Sequence, residues 1–398
     1  MKYLNKFFRW LTSDSRSSDN IILPDTNILF SAILLLTVGV IMVYSASIAY
    51  AAKASGSGNQ YFFVMRHVAS IAIGLVAGLV VYSRDTTFWE KHANHIMIII
   101  MILLIIVLIP HVGRVVNGSR RWIPLIIFNL QPSELAKIGM AIYLSNYFKG
   151  KSLSAETWKE DAIRVGGVFI CVATLLLAEP DMGSTGVVFI ISLTLLYLSG
   201  LNSKAILGVL LSGIFIAAIL VVVSPYRMKR VTGFIDPFED ALGKGYQLSH
   251  SLLAFGHGGW FGVGLGNSIE KLYYLPEAHT DFIMAIIGEE FGALGVIAVL
   301  TLFWIIFYRG FNVISNESKK IHGRKFQALL AQGISVWFLA QALINTGVAI
   351  GILPTKGLTL PFISFGGSSI LVNCMALSIL LKIDYENKIL NSKQKKQQ

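Results

Sequence analysis

The chain has 398 residues and a formal net charge of +11; 54% of its residues are hydrophobic and 14% are charged. Soluble domains carry about 25% charged residues, so this composition excludes a soluble domain and predicts an all-α, polytopic integral membrane bundle. In a membrane protein, an excess of positive charge reflects basic residues that concentrate in cytoplasmic segments and contact anionic lipid headgroups. We therefore expect membrane lipids as partners, and no nucleic acid.

Ten apolar segments are predicted to span the membrane, because the charged residues collect in the stretches between them. These segments cover residues 28–50, 62–82, 93–110, 133–149, 163–179, 185–200, 205–224, 281–308, 326–347 and 367–384. A transmembrane domain is therefore expected over residues 28–384, between an N-terminal tail (1–27) and a basic C-terminal tail (385–398). An even number of spans puts both tails on one side, and most of the 33 Lys and Arg residues fall on that side. Both termini are therefore predicted to be cytoplasmic.

Two segments on the predicted outer side break this charge bias. Residues 111–132 contain Arg120 and Arg121, and the large outer loop, residues 225–280, contains several more basic residues but no convincing span. Cations placed against the topological bias predict an anionic ligand on that face, although contact with lipid phosphates would also explain them. The glycine-dense residues 256–266 permit close backbone approach to a ligand or tight re-entrant turns.

Ionisable groups beside membrane spans are costly and mark candidate functional sites. At the start of the fourth span, Glu134 and Lys137 lie three residues apart on one helix face, so they either form an ion pair that neutralises both charges or take part in a functional site. At the end of the fifth span, Glu179 and Asp181 flank Pro180. These two carboxylates either bind a divalent cation or a basic side chain, or cap a turn.

Asp281 ends the large outer loop, in the stretch LPEAHTDFI (residues 275–283). The pattern places this carboxylate in the first turn of the eighth span, where the helix dipole favours an anion. A carboxylate at the mouth of a membrane cavity is well placed to act as a general base. A simple N-terminal helix cap is the alternative explanation.

Six stretches in chain order resemble the SEDS family of bacterial cell-wall polymerases. They are GSRRW (118–122), QPSELAK (131–137), EPDMGST (179–185), GYQLSHSLLAFGHGGWFGVGLG (245–266), LPEAHTDFIMAIIGEE (275–290) and PFISFGGSS (361–369). The resemblance runs from about residue 25 to 385. Within the family, the fourth and fifth stretches are more similar to the cell-division branch than to the elongation branch.

The resemblance implies a peptidoglycan glycosyltransferase that polymerises lipid II outside the cytoplasmic membrane, at the division septum. Asp281 matches the family's essential aspartate and is expected to be catalytic. A divalent cation, Mg²⁺ or Mn²⁺, is the one cofactor considered, with Asp281, Glu179 and Asp181 as candidate ligands. The implied partners are lipid II, a class B penicillin-binding protein (the septal transpeptidase) and other divisome proteins. The predicted substrate-binding residues are Arg120, Arg121, Glu134, Lys137, Lys271 and His279.

Three alternatives remain open from the sequence. A lipid II flippase, with no covalent chemistry, would need polar residues at mid-membrane depth. A scaffold would only recruit other division proteins, and an elongation polymerase would perform the same chemistry elsewhere in the cell. The residues that favour a flippase are Glu289, Glu290, Gln332, Gln341 and Asn345.

Overall fold

The computed structural model describes residues 22–54, 58–116, 118–125, 129–150, 158–314 and 323–395. Within these residues the chain forms a bundle of twelve helices and one small antiparallel sheet, with the strands in the order β1-β2-β3. In chain order the elements are α1 (Thr26–Ala54), α2 (Phe62–Tyr82), α3 (Thr86–Leu108), β1 (Arg114–Val116), β2 (Ser119–Pro124), β3 (Asn129–Leu130), α4 (Pro132–Phe148), α5 (Trp158–Ala178), α6 (Met182–Leu198), α7 (Ser203–Val223), α8 (Pro225–Ile235), α9 (Tyr246–Gly258), α10 (Ile283–Phe311), α11 (Lys325–Ala349) and α12 (Gly367–Lys395).

Each of the ten predicted spans coincides with a helix. Seven helices are long and apolar enough to cross a membrane, namely α1, α2, α3, α7, α10, α11 and α12. Two further apolar segments, in α5 and α6, are shorter, and α4 carries an acidic and a basic residue in its first two turns. The all-α, polytopic membrane fold predicted from composition is confirmed.

The helices differ sharply in how much of their surface other helices cover. About three quarters of the apolar windows of α11 and α12 are buried inside the protein (72% and 78%), whereas no residue of α7 (203–223) is buried. Helix α7 contacts α6 and α8 at the edge of the bundle. Its exposed apolar side chains therefore face lipid on one side and a cavity on the other.

The large outer loop contains two helices, α8 and α9, that the sequence did not predict. Pro225 starts α8, because its fixed φ suits the first helical position. The glycine-dense stretch after α9 turns back against α10, where the amide of Val263 donates to the carbonyl of Glu289 (2.9 Å). Helix α10 is interrupted there at Gly292, whose φ of 67° is readily adopted only by glycine. The glycine-dense stretch thus forms a tight turn that packs on α10, and its predicted close approach to a ligand stays a prediction.

The small sheet lies at the same end of the bundle and leads into α4. Strand β2 pairs with β1 and β3, and Gln131 precedes the first turn of α4. Ser368, at the start of α12, accepts a hydrogen bond from the Gln131 amide (2.9 Å) and donates one to the carbonyl of Asn129 (2.5 Å). These two bonds attach the sheet to the start of α12.

Ion pairs join the helix ends at the opposite side of the bundle. Arg309, at the end of α10, pairs with Asp25 (2.5 Å) just before α1. Arg324, before α11, pairs with Glu386 of α12 (2.9 Å). Helix α12 continues to Lys395, beyond residue 384, where the sequence analysis placed the end of the transmembrane domain. The boundaries of the predicted tails stay predictions.

Candidate active site

Asp281 lies immediately before α10, beside the loop that joins α11 to α12. Phe282 occupies the N-cap position and α10 starts at Ile283, so the expectation that Asp281 lies in the first helical turn is wrong. A methyl group placed on Gly357 of that loop would lie 2.9 Å from Asp281 Oδ2. The carboxylate is therefore held against a loop, and its position is not that of a helix cap.

The pKa of Asp281 is raised to about 7, first by burial and then by the neighbouring Glu277 carboxylate. Arg121 and Arg230 oppose this rise, because a nearby cation favours the ionised carboxylate. A pKa near neutrality is what a general base needs, since both protonation states are then populated at the pH of the reaction.

A cavity of about 500 Å³ opens beside this loop, between α7 and the rest of the bundle. One wall is apolar and comes from the inner face of α7. The polar end is bordered by four cations and one carboxylate, and by Gly357 next to Asp281. The charged lining residues are Arg121, Arg227, Arg230, Lys356 and Asp181. This combination suits an amphiphile with an anionic head and an apolar tail.

The two adjacent arginines of β2 have different surroundings. Arg121 lines the cavity and donates to the backbone carbonyls of Glu179 (2.9 Å) and Pro180 (2.5 Å). Arg120 donates instead to the carbonyl of Leu108 at the end of α3 (3.1 Å). Successive side chains of a strand point to opposite faces, which explains why only Arg121 borders the cavity.

The two acidic residues after α5 have separate roles. Asp181 is the N-cap of α6 and accepts from the Ser184 amide (3.0 Å) and from the Ser133 hydroxyl (2.9 Å) of α4. For Asp181 the capping alternative is therefore correct. Glu179 is fully buried, and its pKa is raised to about 9, first by burial and then by Asp181, against the opposing effect of Arg121.

The candidate metal ligands are Asp281, Glu179 and Asp181. Within the part of the chain that the structure describes, no three metal-ligating side chains come together. Asp181 accepts hydrogen bonds from the hydroxyls of Ser133 and Ser184. The divalent cation stays a prediction, and we assign no step to one.

Glu134 and Lys137 form the ion pair that their spacing predicted. Lys137 Nζ lies 2.7 Å from Glu134 Oε1 and 3.0 Å from the side-chain oxygen of Gln341 in α11. It also lies 5.5 Å from the centre of the Trp337 ring. Both charged side chains are buried inside the bundle. Their predicted contact with substrate stays a prediction, and the pair does not border the cavity.

Lys271 and His279 are also surrounded by protein. Lys271 Nζ lies 2.7 Å from Glu290 Oε1 and 2.9 Å from Ser45 Oγ. The His279 ring packs against Phe63 and Phe365, and burial lowers its pKa. Substrate contact by Lys271 and His279 stays untested.

The structure thus divides the predicted site residues into two groups. Arg121 and Asp181 line one cavity, and Asp281 lies next to Gly357 of that lining. The other predicted substrate-binding residues lie outside the lining of that cavity.

Of the cavity's cations, only Lys356 was not singled out from the sequence, since Arg227 and Arg230 belong to the outer-loop cations for which an anionic ligand was predicted. Arg227 and Arg230 stand on α8, and Arg230 donates to the carbonyl of Thr355 (3.2 Å) in the loop after α11. Burial lowers the pKa of Lys356 in the same loop. One signal was available for Lys356, because it lies on the predicted outer side, where basic residues are disfavoured.

Fold and site together define a polytopic membrane protein with a cationic cavity at one end of its bundle and the Asp281 carboxyl group next to the lining of that cavity. The family model described as cell cycle protein, which covers FtsW, RodA and SpoVE, matches residues 25–389. The chain belongs to this family.

Relatives in the family are similar over almost the whole chain. The protein named "Probable peptidoglycan glycosyltransferase FtsW" from Burkholderia thailandensis is 46% identical over 92% of this chain and 79% of its own. A protein of the same name from Aromatoleum aromaticum is 45% identical over 94% of this chain and 93% of its own.

Solved structures show the same fold. A chain of a peptidoglycan synthase complex that coordinates polymerization and crosslinking is 25% identical, with a TM-score of 0.72 over 92% of this chain and 98% of that chain. The rod shape determining protein RodA of Thermus thermophilus is also 25% identical, with a TM-score of 0.67 over 92% of this chain and 97% of that chain.

Proposed function

We propose that this protein is a peptidoglycan glycosyltransferase that polymerises lipid II into glycan strands during cell division. The observation that carries the proposal is the position of Asp281, whose pKa of about 7 places a usable base next to a cationic cavity with an apolar wall. Family membership and the names of the FtsW relatives support the same substrate.

The reaction joins a growing glycan, held by undecaprenyl pyrophosphate, to the sugar 4-hydroxyl of an incoming lipid II. The hydroxyl oxygen attacks the anomeric carbon of the glycan, a new carbon–oxygen bond forms, and the bond from that carbon to the pyrophosphate oxygen breaks. Asp281 takes the proton that the hydroxyl loses. General-base assistance of this kind accelerates reactions by about 10²- to 10⁴-fold.

Charge develops on the pyrophosphate as it leaves, and the cavity supplies cations to stabilise it. Arg121, Arg230 and Lys356 are the candidates for this role, since all three border the cavity. Arginine suits it particularly well because its planar group donates two parallel hydrogen bonds to a phosphate. The apolar face of α7 offers a surface for the polyprenyl chain. Lipid-linked substrates therefore reach the cavity from the membrane without leaving the lipid phase.

We propose that the cavity faces the outside of the cytoplasmic membrane at the division septum and that both termini are cytoplasmic. A class B penicillin-binding protein would crosslink the strands that this protein makes. The similarity to a chain of a complex that coordinates polymerization and crosslinking supports this partner.

The flippase alternative needs a polar path at mid-membrane depth, and the residues that suggested one are engaged with protein groups. Glu290 pairs with Lys271, Glu289 accepts from the Ile269 amide, and Gln341 bonds to Lys137. Buried polar groups that already have partners are costly to open toward a passing headgroup. We therefore keep the flippase only as an outcome of the test.

The test uses the purified protein with labelled lipid II and no other enzyme. We expect glycan strands from the wild type and none from Asp281→Asn, with the monomeric content of both proteins matched by size-exclusion chromatography. A wild type that makes no strands but equilibrates lipid II across vesicle leaflets would establish the flippase instead. Repeating the reaction with EDTA, and then with added Mg²⁺ or Mn²⁺, tests the cofactor prediction.

A further inference from the structure

Three polar side chains follow one face of α11 at four-residue spacing: Trp337, Gln341 and Asn345. All three are buried. The side-chain oxygen of Gln341 accepts from Lys137 Nζ (3.0 Å) and from the Trp337 indole (2.7 Å). Its amide nitrogen donates to the backbone carbonyl of Thr359 (2.8 Å). Gln341 therefore connects the ion pair of Lys137 to the loop between α11 and α12.

Asn345 connects the same loop to the segment that carries Asp281. Its side-chain nitrogen donates to the backbone carbonyls of Asp281 (2.8 Å) and Leu358 (2.6 Å). Leu358 lies next to Thr359 in sequence, and Gly357 is the residue that borders the Asp281 carboxylate. Residues 357–359 are thus held by α11 at two points and contact Asp281 at a third.

From these contacts we propose that Gln341 and Asn345 are positioning residues, which couple the buried Glu134–Lys137 pair to Asp281 through residues 357–359. The inference rests on the proposed function, because it concerns the geometry of the proposed base. Leaving a buried polar group without its partner costs free energy, so this network restricts the Asp281 segment to few arrangements. It also gives the Glu134–Lys137 pair an effect on the reaction without contact with substrate.

The first test compares two identical changes on purified protein with lipid II. Asn345→Leu replaces the amide by an apolar side chain and removes both hydrogen bonds to the Asp281 and Leu358 carbonyls. Asn387→Leu is the matched control, since Asn387 is also buried but donates to the carbonyl of Val313 at the far end of the bundle. Displacement of a reacting group by about 1 Å costs up to about a hundredfold in rate. We expect kcat to fall about tenfold to a hundredfold in Asn345→Leu, with KM within about twofold of the wild type.

The second test examines the coupling itself. Gln341→Leu should lower kcat, whereas Gln332→Leu on the same helix, where the amide donates to Phe311, should not. If Lys137 acts through Gln341, the double variant Lys137→Met/Gln341→Leu should be about as slow as the slower single variant. Two independent actions would instead multiply the two losses.

The outcomes separate the inference from the proposed function. A wild type that makes no glycan strand overturns the proposed function. If the wild type polymerises lipid II, the inference is overturned by an Asn345→Leu variant that keeps the wild-type kcat, by one that changes only KM, or by an equal loss in Asn387→Leu. Multiplicative losses in the double variant also overturn it. Where a leucine variant aggregates in detergent, Asn345→Ala and Asn387→Ala replace the pair, because alanine removes the same donor without adding bulk.

Discussion

The pH dependence of polymerisation follows from the surroundings of Asp281. An ordinary aspartate, with a pKa of 3.8, is fully ionised at every pH at which the protein would be assayed. Here the pKa is about 7, so the carboxylate is about one tenth ionised at pH 6 and about nine tenths ionised at pH 8. If Asp281 must be ionised to accept the proton, the rate should rise about tenfold between these two values.

The matched perturbation is Asp281→Asn, which keeps the shape of the side chain and removes its basicity. We expect at least about a 10²-fold loss of glycan strands at pH 8. Because Asp281 is not the N-cap of α10, no loss of helix capping complicates the comparison. The assay is strand formation from labelled lipid II, measured on gels at initial rate from about pH 5.5 to about pH 8.5, a window that brackets the raised pKa.

The thermal stability of Asp281→Asn shows whether this variant is misfolded. The pKa of Asp281 in the folded protein lies above its unfolded value, so the folded state binds the proton more tightly and loses stability as the pH rises from about 4 through about 7. The variant has no charge to bury, so Asp281→Asn should have a higher thermal midpoint than the wild type at pH 8 and a similar midpoint near pH 4. An inactive variant with that higher midpoint has lost its base and kept its fold. Near-normal strand formation by Asp281→Asn, or a flat rate from pH 6 to 8, would refute the assignment of Asp281 as the base.

Four further results are expected. Arg121→Gln should impair polymerisation and shift the acidic side of the pH–rate profile to higher pH, since Arg121 lowers the pKa of Asp281. Arg120→Gln should leave that profile unshifted, because the Arg120 side chain bonds to the end of α3 and not near Asp281. Lys271→Met should lower the thermal midpoint by leaving the buried Glu290 charge without its ammonium partner, whereas an unchanged midpoint with a raised KM would favour substrate contact. In intact cells, an impermeant thiol reagent should label Asn59→Cys and not Asn202→Cys, and the reverse pattern would invert the topology. Adding the class B penicillin-binding protein should raise the rate of the purified polymerase. A polymerase that is fully active alone and gains nothing from this partner would contradict the prediction.

The span pattern could be predicted because it depends on local composition. A run of apolar residues long enough to cross the bilayer has few alternatives to a helix, since every backbone group must be hydrogen-bonded within lipid. The ion pair of Glu134 and Lys137 was predictable for a similar reason, because residues three apart on a helix are neighbours whatever else surrounds them.

The cavity was not predictable, because its parts come from distant positions. Arg121, Arg230 and Lys356 converge only when β2, α8 and the loop after α11 are placed together. Whether Arg120 or Arg121 borders the cavity depends on which face of a short strand meets the end of α5, and the sequence does not specify that face. The partners of Glu289 and Glu290 lie in the outer loop that folds back on α10. Composition indicated a functional outer loop but not the helices within it.

Charge balance distinguishes the cavity from the interior of the bundle. In the interior, Lys137 is matched by Glu134 and Lys271 by Glu290, as expected where an unpaired charge is costly. Among the residues that the structure describes, four cations and one carboxylate line the cavity, so its lining carries an excess of positive charge. An anionic headgroup would balance that excess and, by doing so, would add a further negative charge near Asp281. Such a charge raises the pKa of a carboxyl group, so bound substrate would make Asp281 a stronger base at the moment the reaction needs one.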